Sequence, residues 1–221
     1  MAAYDLEEQE QVENLKAWWQ RYGNLVVGCV CAAALAISGY MLWNGHQARQ
    51  AARSSEIYVA LQQAIVRNDG VQVRGLTGEL TNQFAGASYA SMGVLLAARH
   101  AIITDDAKTA RAQLAWVAEN GKDEFVDIAR LRLAGLLLDE KEYDEAIEWL
   151  SHPPAAAFAV SYAELRGDIF LAQGKKAEAR SAWEEAKTLL EKEDAKEQTR
   201  REDAIVLMLL RQKLDALGGA A

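Results

Sequence analysis

Residues 25–43 read LVVGCVCAAALAISGYMLW, and no charged residue lies between Arg21 and Arg49. A helix through this run rises 1.5 Å per residue and spans roughly 28 Å, about one bilayer hydrocarbon core. Trp18, Trp19 and Tyr22 precede the run, and Tyr40 and Trp43 close it. Aromatic residues at both ends match the interfacial belts of a membrane span. A buried core helix of this length is rarely uncharged on every side. A cleaved signal peptide has a shorter apolar region behind a short basic start. Here about two dozen residues come first, five of them acidic (Asp5, Glu7, Glu8, Glu10 and Glu13). The expectation is an uncleaved transmembrane helix over 25–43.

Charge says less about orientation. Lys16 and Arg21 on one side nearly balance Arg49 and Arg53 on the other. Lys16 and Arg21 stand closer to the run and the preceding tail is short, which tips the positive-inside reading toward a cytoplasmic N-terminus. Along the run, Gly28, Ala32, Ala36 and Gly39 share one helical face, a stripe of small residues that would let another transmembrane helix approach closely. Cys29 and Cys31 are the only cysteines. Two apart on a helix, they point to nearly opposite sides and cannot bridge each other.

The mean hydropathy of -0.15 shows that the apolar excess is confined to this run. Two prolines among 221 residues, with abundant Ala, Leu, Glu, Lys and Arg, favour helix. No run of alternating β-branched residues reads as a strand. The net charge of -8 without a basic stripe argues against a nucleic-acid partner.

Beyond Gly45 the sequence predicts helical segments over 47–67, 70–83, 87–103, 106–119, 124–139, 142–151, 155–173, 175–192 and 196–216. The breaks carry turn signals: Asn68-Asp69-Gly70, Asp105-Asp106, Asn120-Gly121, His152-Pro153-Pro154 and Gly174-Lys175. Their spacing gives a helix–turn–helix unit of 33 to 36 residues, the period of tetratricopeptide-like repeats. With Ala146 superposed on Ala179, Ala134 and Gly167 fall at the small position of a first helix. Leu150 and Trp183 then take the large position of a second helix. Small residues let the two helices of a hairpin approach, and a bulky side chain one turn on fills the gap. Ala98, Ala110 and Leu114 form a weaker third copy, and residues 47–83 match in outline. Asp105 and Lys141 stand where such turns usually carry glycine, so the register of the first and third hairpins stays open. The last segment reads as a cap, with Leu207, Leu210, Leu214 and Leu217 facing the preceding hairpin. Ile205, Met208 and Leu209 widen its apolar arc, as deeper core or as a partner surface. Core is the expectation taken. The fold class expected is therefore all-α: one N-terminal transmembrane helix, then a tetratricopeptide-like helical-hairpin solenoid with a C-terminal capping helix. The domains are 1–24, an acidic tail and interface segment; 25–43, the span; and 44–221, the repeat domain.

Nothing in the sequence reads as chemistry. His46, His100 and His152 lie in separate segments without neighbours at metal-ligand spacing, and there is no phosphate loop, nucleophile elbow or zinc-protease motif. No catalytic residue, metal or cofactor is expected. A stacked-hairpin body binds partners, on the concave face lined by first helices. That face would carry Met92, Leu95, Ile102, Ile103, Leu131, Leu138 and Leu171, with Arg99, Glu164 and Asp168 among them. Some of these positions would instead serve the core. An apolar groove with a few charges suits a peptide or an amphipathic helix.

The tail segment Glu13-Asn14-Leu15-Lys16-Ala17-Trp18-Trp19-Gln20-Arg21-Tyr22-Gly23-Asn24, the single span and a degenerate repeat body of this length together resemble the YfgM-type ancillary subunits of the bacterial SecYEG translocon. The resemblance covers essentially the whole chain. It implies an inner-membrane protein with a cytoplasmic N-terminus and a periplasmic repeat domain. It further implies association with SecYEG and with a PpiD-like periplasmic chaperone, and a role in passing secreted or envelope proteins onward, translocating polypeptides being further candidate partners. It brings no catalytic residues. The alternatives are an inner-membrane scaffold for envelope assembly or division, and a repeat-domain regulatory anchor facing the cytoplasm.

Overall fold

The structure, a computed structural model, describes residues 2–194 and 201–218. The chain divides into two compact units, Met1–Ala52 and Arg53–Ala221. Nine α-helices are described: α1 (Ala2–Val66), α2 (Gly70–Gln83), α3 (Ser88–Ile103), α4 (Ala107–Asn120), α5 (Glu124–Asp139), α6 (Tyr143–Leu150), α7 (Ala159–Ala172), α8 (Lys176–Asp194) and α9 (Arg201–Ala216). The fold is all-α, with no strand among the described residues.

In the first unit α1 carries the apolar run, and among the described residues it is the one helix long and apolar enough to cross a membrane. None of that stretch is buried. Leu25, Val30, Leu35, Ile37, Met41 and Leu42 all point away from protein. A break was expected at Gly45, but Gly45 lies inside α1. A single glycine costs a helix about 1 kcal/mol and does not end it, and no proline accompanies it.

In the second unit the helices pair into hairpins. Each pairing turn contains one residue in the left-handed region: Asn68 (φ 54°), Asp105 (φ 59°), Lys141 (φ 65°) and Gly174 (φ 77°). Each turn is closed by the same backbone bond five residues back, Asp69 N–H to Ala64 O, Asp106 to Ala101, Glu142 to Leu137 and Lys175 to Phe170, at 2.8–2.9 Å. This is the Schellman closure, for which glycine is the usual left-handed residue. Three of the four turns adopt it without glycine. The four equivalent turns settle the register that the sequence left open. Asp69 and Asp106 also cap the second helix, accepting from Gln72 N–H at 3.0 Å and Thr109 N–H at 3.1 Å. The side-chain and backbone hydrogen bonds from Thr109 hold the Asp106 carboxyl below its ordinary pKa.

All nine repeat positions are buried as the register requires: Ala98, Ala110 and Leu114; Ala134, Ala146 and Leu150; Gly167, Ala179 and Trp183. Gly167 shows why. A methyl group there would overlap the Trp183 indole, and the indole N–H donates to Glu164 O at 3.2 Å and Asp168 Oδ1 at 3.1 Å. Each helix packs on the next from α2 to α9, and the first helices α3, α5 and α7 also touch in sequence. The core forms three clusters. Leu61, Val73, Leu80 and Ala97 fill the first hairpin, Leu114, Leu133, Leu137 and Ile169 the middle, and Ala163, Trp183, Ala186 and Leu210 the end.

The segment expected over 155–173 starts with a 3-10 turn, Ala156–Phe158, before α7. Pro153 and Pro154 cannot continue a helix, and a buried carboxylate fixes the re-entry. Asp127 accepts from Ala155 N–H at 2.9 Å and from Tyr162 O–H at 3.0 Å. The start of the last expected segment, 196–200, lies outside the described residues.

Candidate partner-binding surfaces

The left-handed turn residue is a ruler for every hairpin, because positions counted back from it are equivalent. The first-helix face expected from the sequence consists of residues 13, 10, 6, 3 and 2 before the turn. On α3 these are Met92, Leu95, Arg99, Ile102 and Ile103. Arg99, Ile102 and Ile103 are exposed and Met92 is half-buried. Leu95 is only 6% exposed and belongs to the middle core, so its side chain is not available to a partner. On α5, Leu131 and Leu138 are half-buried and pack partly against that core. On α7, Leu171 is exposed.

Sequence reasoning left out the first hairpin, whose register was open. Counting back from Asn68 adds Tyr58, Gln62, Ile65 and Val66 to the same face, and Val66 is strongly exposed. Ile65, Ile102, Leu138 and Leu171 therefore occupy one position in four successive hairpins. The Asn68-Asp69 pair, matching Asp105-Asp106, was the signal that could have found them.

Glu164 and Asp168 do not stand open on this face. Lys213 of α9 reaches back to them, with Nζ 2.9 Å from Glu164 Oε1 and 2.7 and 3.0 Å from the two Asp168 oxygens. The ammonium also lies 5.5 Å from the Trp183 ring centroid, within cation–π range. Burial lowers the Lys213 pKa, but the hydrogen bonds it donates to Asp168 and Glu164 outweigh it and hold the group above its ordinary value. Around this clamp Leu210 is fully buried, and Val206, Leu214 and Leu217 pack beside it. The cap expected from the sequence therefore forms around Leu210, Leu214 and Leu217, with Val206 beside them and Leu207 half-buried. Its extra apolar residues are not core, in contrast to the expectation. Ile205 is 59% exposed, Met208 70% and Leu209 47%. One helix facing one hairpin can cover only one side of its surface, and the arc extends beyond it.

Two grooves open among second helices. One, of about 540 Å³, lies between α2 and α4, with Val94 and Trp116 in its lining and Arg74 and Lys108 beside them. The other, of about 470 Å³, lies between α4 and α6 and carries Glu119, Glu148, Trp149 and His152. Neither was anticipated, because both depend on how hairpins stack. Among the described residues no His, Cys, Asp and Glu group could hold a metal ion.

On α1 the small residues Gly28, Ala32, Ala36 and Gly39 are all exposed. A Cβ added at Gly28 or Gly39 would meet nothing within 4 Å. Trp18 stacks at an angle with Trp19 and Tyr22, at ring separations of 6.4 and 5.9 Å.

The chain is similar along its length to proteins described as ancillary SecYEG translocon subunits. It is 29% identical to that of Neisseria gonorrhoeae over 219 residues, 98% of this chain and 100% of the relative. It is 27% identical to that of Haemophilus influenzae over 185 residues, 83% of this chain and 90% of the relative. It is also 27% identical to that of Escherichia coli over 181 residues, 80% of this chain and 85% of the relative. No solved structure matches it. The profile of the tetratricopeptide repeat-like domain family matches residues 16–219, and with its hairpins, turns and small-residue contacts the chain belongs to that family.

Proposed function

We propose that this protein is a non-enzymatic ancillary subunit of the SecYEG translocon, held in the inner membrane by α1. The observation that carries the reading is similarity over 98% of this chain to an ancillary SecYEG translocon subunit. It is joined by an apolar helix that buries none of its span-length stretch within the chain. Residues 1–24 lie in the cytoplasm, 25–43 in the membrane and 44–221 in the periplasm. The stripe Gly28, Ala32, Ala36 and Gly39 packs against a partner's transmembrane helix, where close backbone approach and dispersion replace the hydrophobic effect. The first-helix face takes a polypeptide: a segment of a PpiD-like periplasmic chaperone or a chain emerging from the translocon. Two weak contacts suffice, because tethering raises the effective concentration of the second to roughly millimolar.

The test is affinity purification of the tagged full chain in mild detergent, with bound proteins identified by mass spectrometry. The partner is the same chain with residues 25–43 replaced by an unrelated apolar helix. Translocon subunits and a periplasmic chaperone are expected with the native span, and the translocon is expected to be lost on replacement. Recovery of division proteins or cytoplasmic signalling proteins instead would favour the scaffold or the regulatory anchor.

A further inference from the structure

Glu145, Glu148 and Trp149 stand at i, i+3 and i+4 on α6, so one stripe of that helix carries two carboxylates and an indole. The stripe forms one wall of the groove of about 470 Å³ between α4 and α6, and Glu119 lines it from α4. Trp149 is half-buried. Part of it packs against the middle core, and part is open to the groove.

The cations that belong to this region are already engaged. Arg130, in the groove lining, lies 4.0 Å from the buried Asp127. Arg111 pairs with Glu140 at 3.3 Å and with Glu145. Glu119 and Glu148 are exposed, and neither has an ion pair among the described residues. Against Arg111 and Arg130 stand Glu119, Asp127, Glu140, Glu145 and Glu148, so negative charge is left uncompensated. Lys122, Asp123 and Glu124, which follow α4, add to that excess. Protonation of His152 would leave the sign negative.

The molecule shows elsewhere what an indole between carboxylates accepts. Trp183, Glu164 and Asp168 hold the ammonium of Lys213, which lies 5.5 Å from the ring centroid. There the cation comes from the chain itself. We propose that the α4–α6 groove takes a lysine or arginine side chain of a basic segment of a partner polypeptide. Its aliphatic stem lies along Trp149, and its charged head sits among Glu119 and Glu148. The neighbouring groove between α2 and α4 supplies the contrast. It too has a tryptophan, Trp116, but Arg74 and Lys108 stand beside it and disfavour a cation. Charge, more than the aromatic ring, thus selects the occupant. The site lies on second helices and is independent of what occupies the first-helix face.

Binding is measured by fluorescence anisotropy with the full chain in mild detergent. The probe is a labelled Ser/Gly peptide of about twelve residues with arginine at every fourth position, and the control peptide carries glutamate there. The E119Q/E148Q chain is expected to bind the arginine peptide about tenfold more weakly. Its helical content is expected to be unchanged, since both side chains are exposed and unpaired. The E178Q/D215N chain loses the same charge at exposed acids of α8 and α9 and is expected to bind within about twofold of the native chain, because charges beyond a Debye length are screened. The I102S/I103S chain is expected to keep full binding. Equal weakening in E119Q/E148Q and E178Q/D215N would trace the attraction to the overall charge of the chain and overturn the site. Loss in I102S/I103S with full binding in E119Q/E148Q would put the peptide on the first-helix face and overturn it as well. A native chain that fails to bind the arginine peptide, or binds the glutamate peptide equally, also overturns the proposal.

Discussion

The run in α1 and the helix α3 are both strongly apolar, yet they end in opposite surroundings. In α3, Ala90, Val94, Leu95, Ala97, Ala98 and Ala101 are all buried by neighbouring helices. In α1, every described side chain from Val27 to Trp43 is exposed. Apolar composition states that a helix needs cover; the rest of the chain decides whether the protein supplies it. The small residues differ in the same way. Gly93 and Gly167 are pressed by Leu80 and Trp183, whereas Gly28 and Gly39 face open space. α9 combines both conditions, with Leu210 buried on one side and Met208 exposed on the other.

Truncation breaks or sharpens this contrast most directly. Leu133→Ala removes a fully buried side chain and is expected to cost about 2–5 kcal/mol in denaturant unfolding of the repeat unit. Leu35→Ala, at a residue 75% exposed, leaves that unfolding unchanged within about 0.5 kcal/mol. Equal losses would mean that the run is part of the folded core. Gly167→Ala is expected to cost about 1–3 kcal/mol by displacing the Trp183 indole, whereas Gly28→Ala leaves the same thermal transition in place.

The buried phenol predicts an alkaline effect. Burial, then the hydrogen bond to Asp127, raises the Tyr162 pKa above its ordinary 10.0. The folded chain therefore keeps a proton that the unfolded chain releases above pH 10, and stability falls as pH rises beyond that value. Lys213, whose pKa also lies above its ordinary 10.5, adds loss in the same direction. Tyr162→Phe costs about 1 kcal/mol near neutrality and should flatten the decline of melting temperature above pH 10. An unchanged slope would remove Tyr162 as its source. The smallest effect is expected at a turn. Lys141→Gly relieves a left-handed lysine and raises stability by about 0.5–1 kcal/mol, while Gly174→Ala lowers it by about 1 kcal/mol. A loss on Lys141→Gly would show that the lysine side chain contributes more than the strain.

Much of the repeat body was legible because close helix contact imposes residue size locally. Ala134, Ala146 and Leu150 announce a hairpin, and Gly167, Ala179 and Trp183 repeat it. The turns were harder to read, because the Schellman closure tolerates Asn68, Asp105 and Lys141, which carry no glycine signal. Gly45 misled in the other direction, since its cost is too small to break a helix without a proline. Of the candidate face, the exposed Ile102, Ile103 and Leu171 follow from register alone. Leu95 does not, because its burial depends on the neighbouring hairpin. The uncovered side of α9 was illegible for the same reason. Val206, Leu210 and Met208 are alike in composition, and only the position of α7 and α8 distinguishes the covered from the exposed.

The central claim is that α1 spans a membrane and puts the tail and the repeat unit on opposite sides. Single cysteines at Glu13 and Ser151, both exposed, in a chain with Cys29→Ser and Cys31→Ser, can be probed in intact cells with a membrane-impermeant maleimide. The account predicts labelling at Ser151→Cys from the periplasmic side and protection at Glu13→Cys until the inner membrane is opened. Labelling of both positions before the membrane is opened, or of neither, would contradict it.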